Sequence, residues 1–211
     1  MTSRATGKLP AVLLRRPMRV VRPQDATDLY SFPRPEFARL AKTGTLHRLA
    51  PGYYAVVPDD QTDRDWHPEL EAAALGVAAA DQGADAVALM GLSAARVHGA
   101  IPRALGVAVV AAAGHRRTLR LTDRDATVVF VRRDVTNLDC EQRQNELGRG
   151  LVTTVEQTLL DLAARPSLGG LTDEAEAAVQ ALIPRADREF LRDLATVQRR
   201  RATLDRLLAG A

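Results

Sequence analysis

Residues 31–58 read SFPRPEFARLAKTGTLHRLAPGYYAVVP, and a change of period inside that stretch decides the fold. Ser31 stands where a helix N-cap is expected, with Pro33 and Pro35 in the first turn, where a missing N–H costs nothing. Phe37, Leu40 and Ala41 recur at i, i+3 and i+4, and Gly44 supplies a left-handed stop. From Thr45 to Leu49 polar and apolar residues alternate. Ala50-Pro51-Gly52 is turn chemistry, and Tyr53 to Val57 reads as a strand ended by Pro58. Upstream, Leu9 to Arg16 reads as a short helix closed by Pro17, and Pro23 to Leu29 as a second, with its proline in the first turn. Two short helices, a third helix and a β-hairpin make the order of a winged helix-turn-helix over residues 1–58.

Beyond a polar linker at 59–65, residues 66–211 read as a mixed α/β domain, which makes the chain α+β overall. Pro68 to Ala80 is an alanine-rich helix, Ala86 to Met90 a short apolar segment, and Ser93 the expected cap of a helix running through Val97 and His98. Gly106 to Ala113, Thr118 to Thr122 and Ala126 to Val131 read as strands, two of them apolar enough to be buried. Thr153 and Glu156 have capping-box spacing before Val155, Leu159 and Leu162. Leu171 to Ile183 and Ala186 to Leu208 complete the chain as helices.

Charge is unevenly spread. Residues 1–58 carry ten cations against three anions, a charge of +7, and the net +3 of the whole chain therefore leaves −4 for residues 59–211. That asymmetry is expected of a nucleic-acid-binding segment joined to a partner domain. With 46% apolar but only 4% aromatic residues, the core must be built mainly from Leu, Val and Ala. Cys140 is the single cysteine, so neither an intrachain disulfide nor a cysteine-based zinc finger is expected. No run approaches the ~18 apolar residues of a membrane span. Leu9 to Leu14 is too short for a signal-peptide core, and a cytoplasmic location is expected.

On the third helix Pro35, Arg39 and Lys42 point away from Phe37 and Leu40, with Arg34 at the edge of that outer face. A recognition helix needs this division: an apolar stripe seats it, and donors outside reach phosphates and base edges. Arg39 is suited to fork onto guanine, and Lys42 and Thr43 to phosphate. Thr45, His47, Arg48 and Tyr53 are the hairpin's candidates, because alternation sends one of Tyr53 and Tyr54 inward and leaves the other for the sugar-phosphate backbone. In the second domain His115, Arg116, Arg117, Arg120, Arg124, Arg132, Arg133 and Arg199 to Arg201 read either as solvated strand ends and helix face or as an extension of the DNA footprint.

Glu36-Phe37 through Leu40, Thr43 through Leu49 and Pro51 through Pro58 resemble the N-terminal winged helix of AbiEi-type antitoxins. Leu92 through Gly99 and Leu151 through Ala163 are similar to that family's C-terminal domain. The resemblance implies a bacterial antitoxin of a type IV toxin–antitoxin system, whose partner is a nucleotidyltransferase-like toxin and which represses its own operon by binding inverted repeats in promoter DNA. A monomer in solution is expected, placed as two copies on the repeat. The alternatives are a winged-helix repressor with an effector-binding second domain and no toxin, and a protein-interaction module. An enzyme is not expected: both lysines lie in the first 42 residues, so a nuclease-like carboxylate cluster lacks its lysine. His67, His98 and His115 lack metal-ligand spacing, and no glycine-rich phosphate loop follows a strand, so neither metal nor cofactor is expected. His98 and Ser93 read as structural residues.

Overall fold

The computed structural model describes residues 9–62 and 65–209. Asp63 and Arg64 of the expected linker, and Arg4 and Lys8 of the basic segment, lie outside the described residues. The fold is mixed α+β, with eight α-helices and two sheets among the described residues.

The first part of the chain runs α1 (Ala11–Leu14), β1 (Val20–Val21), a 3-10 turn (Pro23–Ala26), α2 (Pro33–Lys42), β2 (Leu46–Ala50) and β3 (Tyr53–Val56). The three strands form an antiparallel sheet in the order β1-β3-β2. Strand β1 has no counterpart in the sequence reading, and the helix expected over 23–29 contracts to one 3-10 turn. There Asp25 folds back on Arg22, accepting from its backbone N–H at 3.0 Å and its guanidinium at 2.9 Å. The cap of α2 is Phe32 rather than Ser31, because Pro33 fixes the first helical φ and no side-chain cap bond is made. At the other end Gly44 (φ 78°) closes a Schellman motif: Thr45 N–H donates to the Leu40 carbonyl and Gly44 N–H to that of Ala41. Phe37 is fully buried, edge-on to Tyr30 and Tyr54. A register shift between Arg48 and Ala50 turns both Leu49 and Ala50 inward, which strict alternation would forbid.

The rest is built on a six-stranded sheet, β6-β7-β5-β4-β9-β8, from β4 (Val87–Leu89), β5 (Val107–Ala112), β6 (Leu119–Arg120), β7 (Thr127–Arg132), β8 (Cys140–Asn145) and β9 (Gly148–Thr153). The pairs β5–β7 and β4–β9 are parallel; β4–β5, β6–β7 and β8–β9 are antiparallel. α3 (Leu70–Gln82) covers one face, where Leu75 and Val77 join Ala108, Val110, Val128 and Val152 in the core. α4 (Gly91–Val97), α5 (Val155–Ala164), α6 (Thr172–Leu182), α7 (Arg188–Val197) and α8 (Arg201–Ala209) bury a second cluster that includes Leu92, Leu159, Leu160 and Leu182. None of the described helices is long and apolar enough to cross a membrane.

Several expectations for this part change. Ser93 lies inside α4, fully buried, and its Oγ accepts from Val109 N–H at 2.8 Å; it ties helix to sheet instead of capping. The cap of α5 is Thr154, which accepts from Gln157 N–H, while Thr153 ends β9. The last helix is two, broken where Arg199 takes φ 57° and Arg200 N–H reaches back to the Ala195 carbonyl.

The two parts of the chain share a core. Met18, Val20, Leu49, Ala50 and Ala55 are buried in the same cluster as Leu75, Val77 and Leu147. Gly76 and Gly150 permit the contact: a Cβ on Gly76 would stand 2.5 Å from Val20 Cγ2, and one on Gly150 would stand 3.2 Å from Met18 Sδ.

Candidate nucleic-acid interface

α2 seats Phe37 and Leu40 in the core, so the residues opposite them face water: Arg34, Pro35, Ala38, Arg39 and Lys42 are all exposed. Arg39 does not stand free. Its Nε donates to Glu36 Oε2 at 3.0 Å and its terminal nitrogen to Oε1 at 2.6 Å, a two-pronged pair one helical turn apart. The hydrogen bonds from Arg39 hold the Glu36 carboxyl below its ordinary range. Arg48, on β2, is exposed as expected.

The other hairpin candidates are committed elsewhere. Thr43 is half-buried and its hydroxyl donates to the Leu40 carbonyl at 3.1 Å; Thr45 is buried, with its Oγ1 3.3 Å from that of Thr43. The pair finishes the helix and turns the chain into β2. His47 turns toward the larger sheet, its Nε2 2.8 Å from Asp123 Oδ2. Of the two tyrosines Tyr54 is the inward one, while the Tyr53 hydroxyl donates to Asp81 Oδ1 at 2.7 Å instead of facing solvent. Thr45, His47 and Tyr53, expected as DNA contacts, are thus held by partners within the fold. Their partners lie far along the chain or in a helix terminus that spacing alone does not specify.

Sequence reasoning passed over Phe32. Its ring is 74% exposed at the head of α2, and it lines a cavity of about 420 Å³ with Arg22, Gln24, Arg34 and Gly52, where the start of the helix meets the hairpin turn. The signal was present: an aromatic directly before a proline at a helix start is held out of the α region and cannot fold back along the helix.

Behind this face, two carboxylates fix the first part of the chain to the second. Asp81, in α3, accepts from Arg22 at 2.8 Å as well as from Tyr53 and Arg116, and the Arg116 guanidinium lies 4.8 Å over the Tyr53 ring and 4.6 Å over that of Phe130. Burial pushes the Asp123 carboxyl up, but hydrogen bonds from His47 and Arg124 outweigh it and hold the group at about 2. Thr122 N–H donates to the Leu49 carbonyl at 2.8 Å, which extends the small sheet toward the loop after β6.

Half of the ten basic residues singled out in the second part, Arg116 among them, meet a carboxylate. Arg120 meets Asp125, and Arg124 meets Asp123. Arg200 meets Asp161 at 2.8 Å, and Arg133 approaches the same oxygen at 3.8 Å. Asp161 is buried in α5, where burial raises its pKa against the pull of both guanidiniums. His98 is buried with Nε2 2.8 Å from the Thr153 carbonyl, a helix-to-sheet bond in keeping with a structural part. Among the described residues no three His, Cys, Asp or Glu side chains are grouped to hold a metal ion.

No known family matches the chain, and no curated protein does. Its fold is similar to a solved one, the crystal structure of the RV2827C protein from Mycobacterium tuberculosis. The TM-score is 0.53 with 21% identical residues, over 93% of this chain and 75% of that one. At that identity the likeness is one of fold.

Proposed function

We propose that this chain binds duplex DNA through α2, with residues 9–58 acting as a winged helix-turn-helix and the β2–β3 hairpin as the wing. The observation that carries the reading is the outer face of α2, where Arg34, Arg39 and Lys42 stand in water opposite a stripe anchored by Phe37 and Leu40. The element order around it, short helix, strand, turn, helix and two strands, supports the same reading. The wing is short and drawn against the larger sheet, so in this reading specificity comes from the helix and Arg48 contacts backbone.

The resemblance to AbiEi-type antitoxins extends the proposal: the chain represses its own operon from promoter inverted repeats, as two copies of a monomer, and neutralises a nucleotidyltransferase-like toxin through its larger part, without catalysis. Two measurements test it. Binding to promoter duplex should weaken steeply with salt, with a log–log slope near −4 to −5 if about five phosphates are neutralised. A flat dependence removes DNA as the ligand. In cells, the full chain carrying Arg39→Ala and Lys42→Ala should lose repression of a promoter reporter yet still rescue growth when the toxin is induced from an unrelated promoter. Loss of rescue by an abundant, folded variant would refute the division of labour.

A further inference from the structure

Resting on the nucleic-acid reading of α2, we infer that this face recognises thymine methyl groups, with Phe32, Pro35 and Ala38 as its base-reading residues. At 100° per residue the exposed face runs, in order around the helix, Arg34, Ala38, Lys42, Pro35, Arg39 and Phe32. Three of those six positions are apolar. Pro35 has no N–H, and Pro35 and Ala38 are small, so the backbone between them can come close to a groove floor while offering it no donor. Phe32 leads this surface. Its ring is 74% exposed, and Pro33 holds its backbone at φ −132°, ψ 76°, outside the helical region. It belongs to none of the hydrophobic clusters of the fold.

The polar alternative is partly committed. Arg39 is the residue of this face best suited to fork onto guanine, and its Nε edge is engaged by Glu36 at 3.0 and 2.6 Å, which leaves it the edge of its two terminal nitrogens alone. Arg34 and Lys42 then serve phosphates. In the major groove the apolar group displayed on a base edge is the C5 methyl of thymine, and alanine and phenylalanine are side chains that meet it. An exposed surface on which apolar residues alternate with cations thus fits a thymine-bearing site better than a guanine-rich one.

The test uses the full chain. Duplexes are enriched from a random-sequence pool, and each thymine of the preferred site is replaced in turn by deoxyuridine, which deletes only the methyl group. At one or more positions the replacement should weaken binding about fourfold, the worth of one buried methyl. Phe32→Ala should lose that sensitivity at its own position and keep the salt slope of the parent; Ala38→Gly should do the same at another. An enriched duplex indifferent to deoxyuridine overturns the inference and leaves the DNA reading standing. Sensitivity that persists unchanged in both variants assigns the effect to duplex shape and overturns it too. If the pool yields no preferred duplex, both readings fall.

Discussion

The pairing of Arg39 with Glu36 gives the first residue-scale prediction. Both groups are on the surface, so the pair adds little to stability, but it places a negative charge on a face proposed to meet phosphates. Glu36→Gln should tighten binding to non-specific duplex a few-fold at low salt and admit guanine into the preferred site as Arg39 is released. Competition binding across salt, with a fresh sequence selection, reads both effects, and weaker binding would contradict the assignment. At this scale the sequence was legible wherever a period governs. The 3.6-residue spacing of Phe37, Leu40 and Ala41 turns Arg39 and Lys42 outward without reference to anything else. It was not legible where a partner decides. Alternation leaves Tyr53 and Tyr54 equivalent, and the choice is made by the Phe37 ring on one side and Asp81, 28 residues on, at the other. His47 is drawn to a carboxylate 76 residues away, which no local pattern announces.

Among the elements, α3 is the one on which both parts of the molecule close, and at Gly76 the approach is too close for a Cβ. Glycine to alanine in a free helix would gain about 1 kcal/mol. Here the new methyl meets the stiff Val20 side chain, and overpacking costs roughly 1–3 kcal/mol. Gly76→Ala should therefore lower stability in urea or heat denaturation. Val20→Ala alone should also destabilise, by opening a cavity. The two together should be more stable than their summed effects require, by about 1 kcal/mol, because the added methyl fills the space vacated. Simple additivity would show that the contact is looser than described. Elements with a strong intrinsic pattern were readable here. β5 is a continuous apolar run buried along its whole length, and the alanine-rich α3 is buried along its first ten residues; β7, expected to be buried as well, leaves Val129 and Phe130 only half-buried. The hairpin β8–β9 escaped because β8 is a sheet edge carrying Glu141, Gln142, Arg143 and Gln144, a composition that reads as solvated loop. The break between α7 and α8 escaped because Arg199, neither glycine nor proline, adopts the left-handed conformation, while Arg200 is held by Asp161.

For the whole molecule, Asp123 and its partners should set the acid limit of the joint between the small sheet and the large one. Its folded pKa of about 2 lies below the ordinary value near 3.9, so the folded state binds the proton less readily than the unfolded chain. The stability this gives is fully present above about pH 4 and is lost as pH falls toward 2; on linkage it is worth on the order of 2 kcal/mol. Asp123→Asn should be less stable than the parent at neutral pH, and the gap should narrow between pH 4 and 2. A gap independent of pH would assign the loss to packing. The α+β class was visible in the sequence, but the contact between the segments before and after residue 58 was not, since it depends on Gly76 and Gly150 meeting Val20 and Met18 from a distant segment. That contact has a historical consequence. A segment whose interior is partly furnished by the rest of its chain is a poor unit for gene shuffling: moved onto another protein, it would leave Met18 and Val20 without a floor. Divergence in such a lineage must proceed by paired replacement, with positions 20 and 76, and 18 and 150, drifting together in descendants rather than independently.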